Sequence, residues 1–260
     1  TDQKDGIPLY AVSAANFEQW MANLPGVQQK WLKAMGFRAK AGELCSLPDS
    51  NGELHGYAFG MAEQGWLYQL APLPAKLIAG DYRLVADWSP SQRLQASLGW
   101  GLACYRFSLY VKPQHEMPSL VLEEDISAGT RQLLSAQSLV RDLINTPTED
   151  LGPGQLADVM QAQADEFDAH MSVVQGVGLL NENFPAIHAV GRASDREPRL
   201  LKLEWGDSDR PLLALCGKGV CFDTGGLNLK PGAGMALMKK DMGGAAHVLA
   251  LAQLIMQAQL

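Results

Sequence analysis

Residues 217–241 read GKGVCFDTGGLNLKPGAGMALMKKD and bring Lys218, Asp223, Lys230 and Asp241 into one glycine-rich stretch after the apolar run at 211–215. A phosphate loop would need GxxxxGK followed by Ser or Thr. Here Lys218 is followed by Gly219, so the residue that would hold magnesium is missing. GKGVCF also lacks the third glycine of a dinucleotide fingerprint. A metal reading is better. Asp223 and Asp241 are hard oxygen donors of the kind divalent cations take. Lys218 becomes a further donor if its amine is neutral, which an adjacent dication and burial both favour. Lys230 can stay charged and face a developing oxyanion. By spacing alone, the same residues fit two surface lysines and two capping acids equally well.

The elements that must position them come next. The apolar run is read as a buried strand, PLLALCG, and MGGAAHVLALAQLIMQ after Asp241 as a helix whose small start allows close approach. Upstream, helices are predicted over 126–145 and at GQLADVMQAQADEF, the first stopping at NTPTEDLGPG. MSVVQG, AIHAVGRA and RLLKLEWG are read as strands and GLLNENF as a short helix. Strands alternating with helices predict an α/β fold with a largely parallel sheet, placing both carboxylates at loop and helix edges where such folds bind ligands.

Residues 1–115 predict a smaller N-terminal α/β domain. NFEQWMANL and QQKWLKAMGF space their apolar residues as helix faces, and GYAFGMA, WLYQLAPLP and YRLVADW are read as strands. SPSQRLQASLGWGLACYRF is read as a helix capped by Ser89 or Ser91, with small residues for close packing. The six tryptophans are read as core. Residues 116–125 are expected to form a linker, leaving 126–260 for the domain that carries the glycine loop.

Composition excludes several classes. With 28 acids against 21 bases, the net charge of −7 disfavours nucleic acid or an anionic membrane as partner. No apolar run reaches the ~20 residues needed to cross a bilayer, and the polar start TDQKDGIPLY has no signal-peptide core. None of the four cysteines forms a CxxC pair. Cys216 and Cys221 flank the loop and are read as half-buried fillers in preference to a ligand or redox pair. A reducing, cytoplasmic compartment fits.

The motif as a whole resembles the metal-binding signature of the leucyl (cytosol) aminopeptidase family. RDLINTPTEDLGP and IHAVGRASDREPRLLKLEWG resemble the segments that precede it there. The resemblance implies that Lys218, Asp223 and Asp241 are ligands of two divalent ions, Zn or Mn, with Asp223 bridging them. Lys230 matches the catalytic lysine that polarises the scissile carbonyl, and Met238 falls where the family lines the pocket for the substrate's first side chain. A hydroxide activated by both metals would attack the first peptide bond. The implied substrates are peptides with an apolar N-terminal residue, and the implied assembly is a hexamer. His188, expected on a strand, and His247, expected on the final helix, receive no metal role.

The family completes its site with an Asp-x-Glu-x-Arg stretch further along, and none follows Asp241 here. The apolar helical pattern also runs to Leu260 without a stop signal, so the chain reads as a truncation. Two dications bring four positive charges, whereas Asp223 and Asp241 offer two negative ones. This chain alone is therefore expected to be inactive, and an exposed apolar edge is expected. The alternative is a non-catalytic binding or assembly module derived from the same family.

Overall fold

The computed structural model describes residues 6–62 and 65–260. The chain divides into two compact units between Leu134 and Ser135.

The first unit is built on β1 (Ile7–Val12), α1 (Phe17–Ala22), α2 (Gly26–Ala34), β2 (Leu44–Pro48), β3 (Leu54–Gly60), β4 (Asp81–Val85), α3 (Pro90–Cys104) and β5 (Ser119–Val121). Its sheet has the order β2-β3-β1-β4-β5. The β1–β3, β1–β4 and β4–β5 pairs are parallel, and only β2 runs against its neighbour. Period-two alternation sorts the side chains to two faces. Leu9, Phe59 and Tyr82 pack with Ala96 and Trp100 of α3. On the opposite face Val12, Ala58, Cys45 and Leu47 pack with Phe17 and Met21 of α1 and Leu32 of α2. Helices thus cover both faces of a mostly parallel sheet, which makes this unit the α/β domain expected of residues 1–115; the parallel sheet itself was expected in the second domain.

Ser89 is the cap of α3. Its Oγ accepts from Gln92 N, and the Gln92 side chain accepts from Ser89 N, a complete capping box. Three expectations need correction here. WLYQL is not a strand: Trp66–Tyr68 form a 3-10 turn. Residues 116–125 are not only a connection, since β5 hydrogen-bonds to β4 as the sheet's last strand. The tryptophans are not all core, because Trp31 is exposed on α2; one turn of a helix facing solvent is enough to expose an apolar residue.

The second unit takes the end of α4 (Glu124–Asn145), then α5 (Pro153–Phe167), β6 (His170–Gln175), α6 (Gly178–Asn181), α7 (Pro185–Gly191), β7 (Arg199–Glu204), α8 (Gly232–Met235) and α9 (Gly243–Ala258). Its core is helical. Ala136, Val140 and Leu143 of α4 meet Leu156 of α5 and Ala246, Leu249 and Ala250 of α9. β6 and β7 pair antiparallel, from His170↔Glu204 to Gln175↔Arg199, so the parallel character of the fold resides in the first unit's sheet.

AIHAVGRA, read as a strand, is helical: it forms α7 with Pro185 in its first turn, and His188 lies on that helix. PLLALCG forms no strand either. It has no ladder partner among the described residues, and Leu212 is 93% exposed. A strand exists only through hydrogen bonds to a neighbour, so an apolar pattern without one cannot complete it. Trp205 after β7 is likewise exposed. No helix among the described residues is long and apolar enough to cross a membrane.

Candidate functional site

The glycine loop is fastened to the start of α9. Lys218 O accepts from Ala245 N at 2.9 Å. A Cβ on Gly217 would lie 2.7 Å from both Ala245 Cα and Gly244 O, and one on Gly244 would lie 2.9 Å from Lys218 N. The loop and the helix start therefore touch backbone to backbone, which only glycine on each side permits. Further along, Thr148 Oγ1 donates to Cys221 O at 2.9 Å, and Arg196 Nη1 donates to Thr148 O at 2.6 Å. Lys239 Nζ donates to Asn145 O at 2.6 Å, tying the 3-10 turn Met238–Met242 to the end of α4.

This scaffold brings the four predicted polar residues into two ion pairs. Lys218 Nζ lies 2.7 Å from Asp241 Oδ2. Lys230 Nζ lies 2.6 Å from Asp223 Oδ2 and 3.1 Å from Met238 Sδ. Asp223 Oδ1 accepts from Gly225 N at 2.7 Å. The reach of Lys230 depends on a tight loop in which Lys230 N donates to Thr224 O at 3.0 Å. Gly225 and Gly226, at φ 82° and 97°, supply the left-handed backbone that this reversal requires.

Electrostatics follow from the contacts. The Lys230 ammonium, then the Gly225 N–H, hold the Asp223 carboxyl below its ordinary range, and the Lys218 charge adds to the effect. Burial pushes the Cys221 thiol up to about 11, so without a metal it stays protonated near neutral pH. Cys216, expected to be half-buried, is exposed; it lies on the run that lacks a sheet to cover it. His247 Nδ1 is 2.6 Å from Gly243 O, one turn back on α9, which accounts for its orientation without a metal.

Asp223 and Asp241 match a hard divalent cation in kind but not in number. Among the described residues, no group of three or more His, Cys, Asp or Glu side chains is placed to hold an ion. Asp195, Glu197 and Arg199 repeat the Asp-x-Glu-x-Arg spacing ahead of the loop, yet they form no such group with Asp223 or Asp241. The donor set among the described residues therefore does not complete a metal centre.

Sequence reasoning missed Thr148, Arg196 and Lys239, whose roles are to hold loops. Their bonds span |i−j| of 73, 48 and 94, so no local pattern marks them. The one available signal was that NTPTED and GRASDREPR precede the motif in the same order as in the resembling family.

Residues 138–260 match the catalytic domain of the cytosol aminopeptidase family, and residues 7–123 match the M17 aminopeptidase N-terminal domain. A probable cytosol aminopeptidase of Leifsonia xyli subsp. xyli is 35% identical over 240 residues, covering 85% of this chain and 48% of that protein. A peptidase B of Yersinia pestis is 40% identical over 163 residues, covering 58% of this chain and 38% of that one. The solved cytosol aminopeptidase of Coxiella burnetii superposes with a TM-score of 0.95 at 40% identity, covering 100% of this chain and 57% of that one. The bottromycin maturation enzyme BotP, solved in complex with Mn, superposes at 0.79 with 26% identity, covering 98% and 56%. The chain spans about half the length of the curated relatives it matches.

Proposed function

Because the chain belongs to the cytosol aminopeptidase family, we propose that the protein is a leucyl-type, metal-dependent aminopeptidase. It releases N-terminal amino acids with apolar, leucine-like side chains from peptides. Lys218, Asp223 and Asp241 contribute to the donor set for two divalent ions, Mn or Zn. Such ions supply Lewis acidity, polarising a carbonyl and acidifying water. Lys230 presents its ammonium to the carbonyl oxygen of the first peptide bond and stabilises the charge that develops there. Met238, touching Lys230, lines the place for the first side chain.

The observation that carries this reading is the pairing of Lys218 with Asp241 and of Lys230 with Asp223 on a loop locked to α9. It gathers two acids and two bases whose spacing alone left their purpose open. The BotP complex with Mn supports manganese as the first metal to try. By the same reading the enzyme is cytoplasmic and works as a hexamer.

This chain by itself is inactive, since two carboxylates neither neutralise nor coordinate two dications. Hydrolysis of Leu-p-nitroanilide with Mn²⁺ tests both statements. The full-length protein turns over, and Lys230→Ala lowers its rate by about a hundredfold or more. The 260-residue chain does not turn over. A full-length protein without peptidase activity overturns the function, and a fully active 260-residue chain overturns the claim of an incomplete site.

A further inference from the structure

The first unit carries a crevice that the peptidase reading does not use. It measures about 490 Å³, within the range of small-molecule sites. Val12 ends β1, Met61 follows β3 and Ala86 follows β4, and all three line it. These strands are mutually parallel, so the crevice lies outside their carboxyl ends. It is also a topological switch point. The chain leaves β1 for α1 on one face of the sheet, and leaves the adjacent β4 for α3 on the other face. Open parallel sheets bind ligands at this position.

Side-chain hydrogen bonds brace two of the walls. Arg93 donates to Ala86 O at 2.7 Å and Trp88 O at 3.1 Å, and pairs with Glu123 at 3.0 Å, which clamps the turn after β4. Gln69 bonds both the N–H and the carbonyl of Ala62, at 3.0 and 2.9 Å, and so fixes the backbone just after β3. The lining chemistry is specific. Trp20 and Trp66 are half-buried and both line the crevice, and Trp66 meets Trp88 edge-on at 5.2 Å. Among the described residues, Asp87 is the one charged residue lining it, and it is exposed. The α3 start offers little to an anion, because its capping box occupies Gln92 N and Ser89 N.

We propose that this crevice binds an uncharged nucleoside: a heteroaromatic base stacked on the indoles, with its ribose diol donating to Asp87. Aromatic stacking is tolerant of base identity, and an acid just beyond a strand end suits a vicinal diol. The exposed Asp87 carboxylate would repel a phosphate, which favours the uncharged nucleoside.

Isothermal titration of the 260-residue chain with adenosine, guanosine, cytidine and uridine tests the proposal. At least one binds saturably and one-to-one. Its 5′-monophosphate and its 2′,3′-dideoxy analogue each bind about tenfold more weakly or worse. Asp87→Asn, at an exposed position, leaves the melting temperature unchanged, weakens the nucleoside about tenfold and erases its advantage over the dideoxy analogue. The proposal is overturned if no nucleoside saturates, if the monophosphate binds as tightly, or if Asp87→Asn leaves the affinity as it was.

Discussion

Lys230 Nζ sits 2.6 Å from Asp223 Oδ2 although seven positions separate the residues, because the 224–230 loop doubles back through two glycines in left-handed conformation. The contact is half-exposed on both sides, with side chains 29% and 32% accessible. A pair this exposed adds little to the stability of the fold; under the proposed function it aims the Lys230 ammonium. Met238 Sδ lies 3.1 Å from the same ammonium.

The pair gives a pH-dependent signature. Asp223 titrates below its ordinary value of 3.8 in the folded chain, held there first by Lys230. A depressed carboxyl contributes stability above its unfolded pKa and loses it as pH falls through the folded value. Carbon-detected NMR titration of the metal-free chain should show this low value, and Lys230→Met should raise it toward 3.8. An unmoved Asp223 in the variant would remove Lys230 as the cause.

Thiol chemistry separates the two cysteines beside the loop. Cys221 is buried with a pKa of about 11, which leaves about a thousandth of it as thiolate at pH 8. Cys216 is exposed. Limited iodoacetamide treatment followed by peptide mass spectrometry should modify Cys216 and spare Cys221. Equal labelling would contradict the burial of Cys221.

Gly217→Ala tests the loop–helix contact. The new methyl would lie 2.7 Å from the backbone of Ala245 and Gly244, so something must shift, at a cost of about 1–3 kcal/mol. Gly232→Ala, with nothing within 4 Å, is the control at the start of α8. Chemical denaturation should show a clear loss for the first and a change within about 0.5 kcal/mol for the second.

Ser89→Ala removes the cap of α3 and should cost about 1 kcal/mol, with Ser89→Gly costing only a few tenths. The same denaturation experiment reads both. Equal behaviour of the two variants would mean that the capping box of Ser89 and Gln92 does not operate in solution.

Local signals were legible wherever the physics is local. The cap of α3 and the periodicities of α3, α4, α5 and α9 depend on neighbours three or four positions away, and they appear as read. WLYQL, AIHAVGRA and PLLALCG failed as strands for one shared reason. Short apolar runs suit strand or helix alike, and only a neighbour with free backbone groups makes one a strand. β7 met such a neighbour in β6, whereas residues 211–217 met none among the described residues.

What the residue string by itself determined was the chemical inventory: Lys218, Asp223, Lys230 and Asp241, in an order and among glycines that resemble one family's signature. Type and order are properties of the chain and survive without a fold. Which lysine faces which acid was decided only by the tertiary structure. The pairing of Lys218 with Asp241 spans |i−j| of 23 and exists because two glycines let a loop backbone rest on the start of α9. The crevice at the ends of β1, β3 and β4 is likewise a product of strand order, since Val12, Met61 and Ala86 become neighbours only once parallel strands align their carboxyl ends.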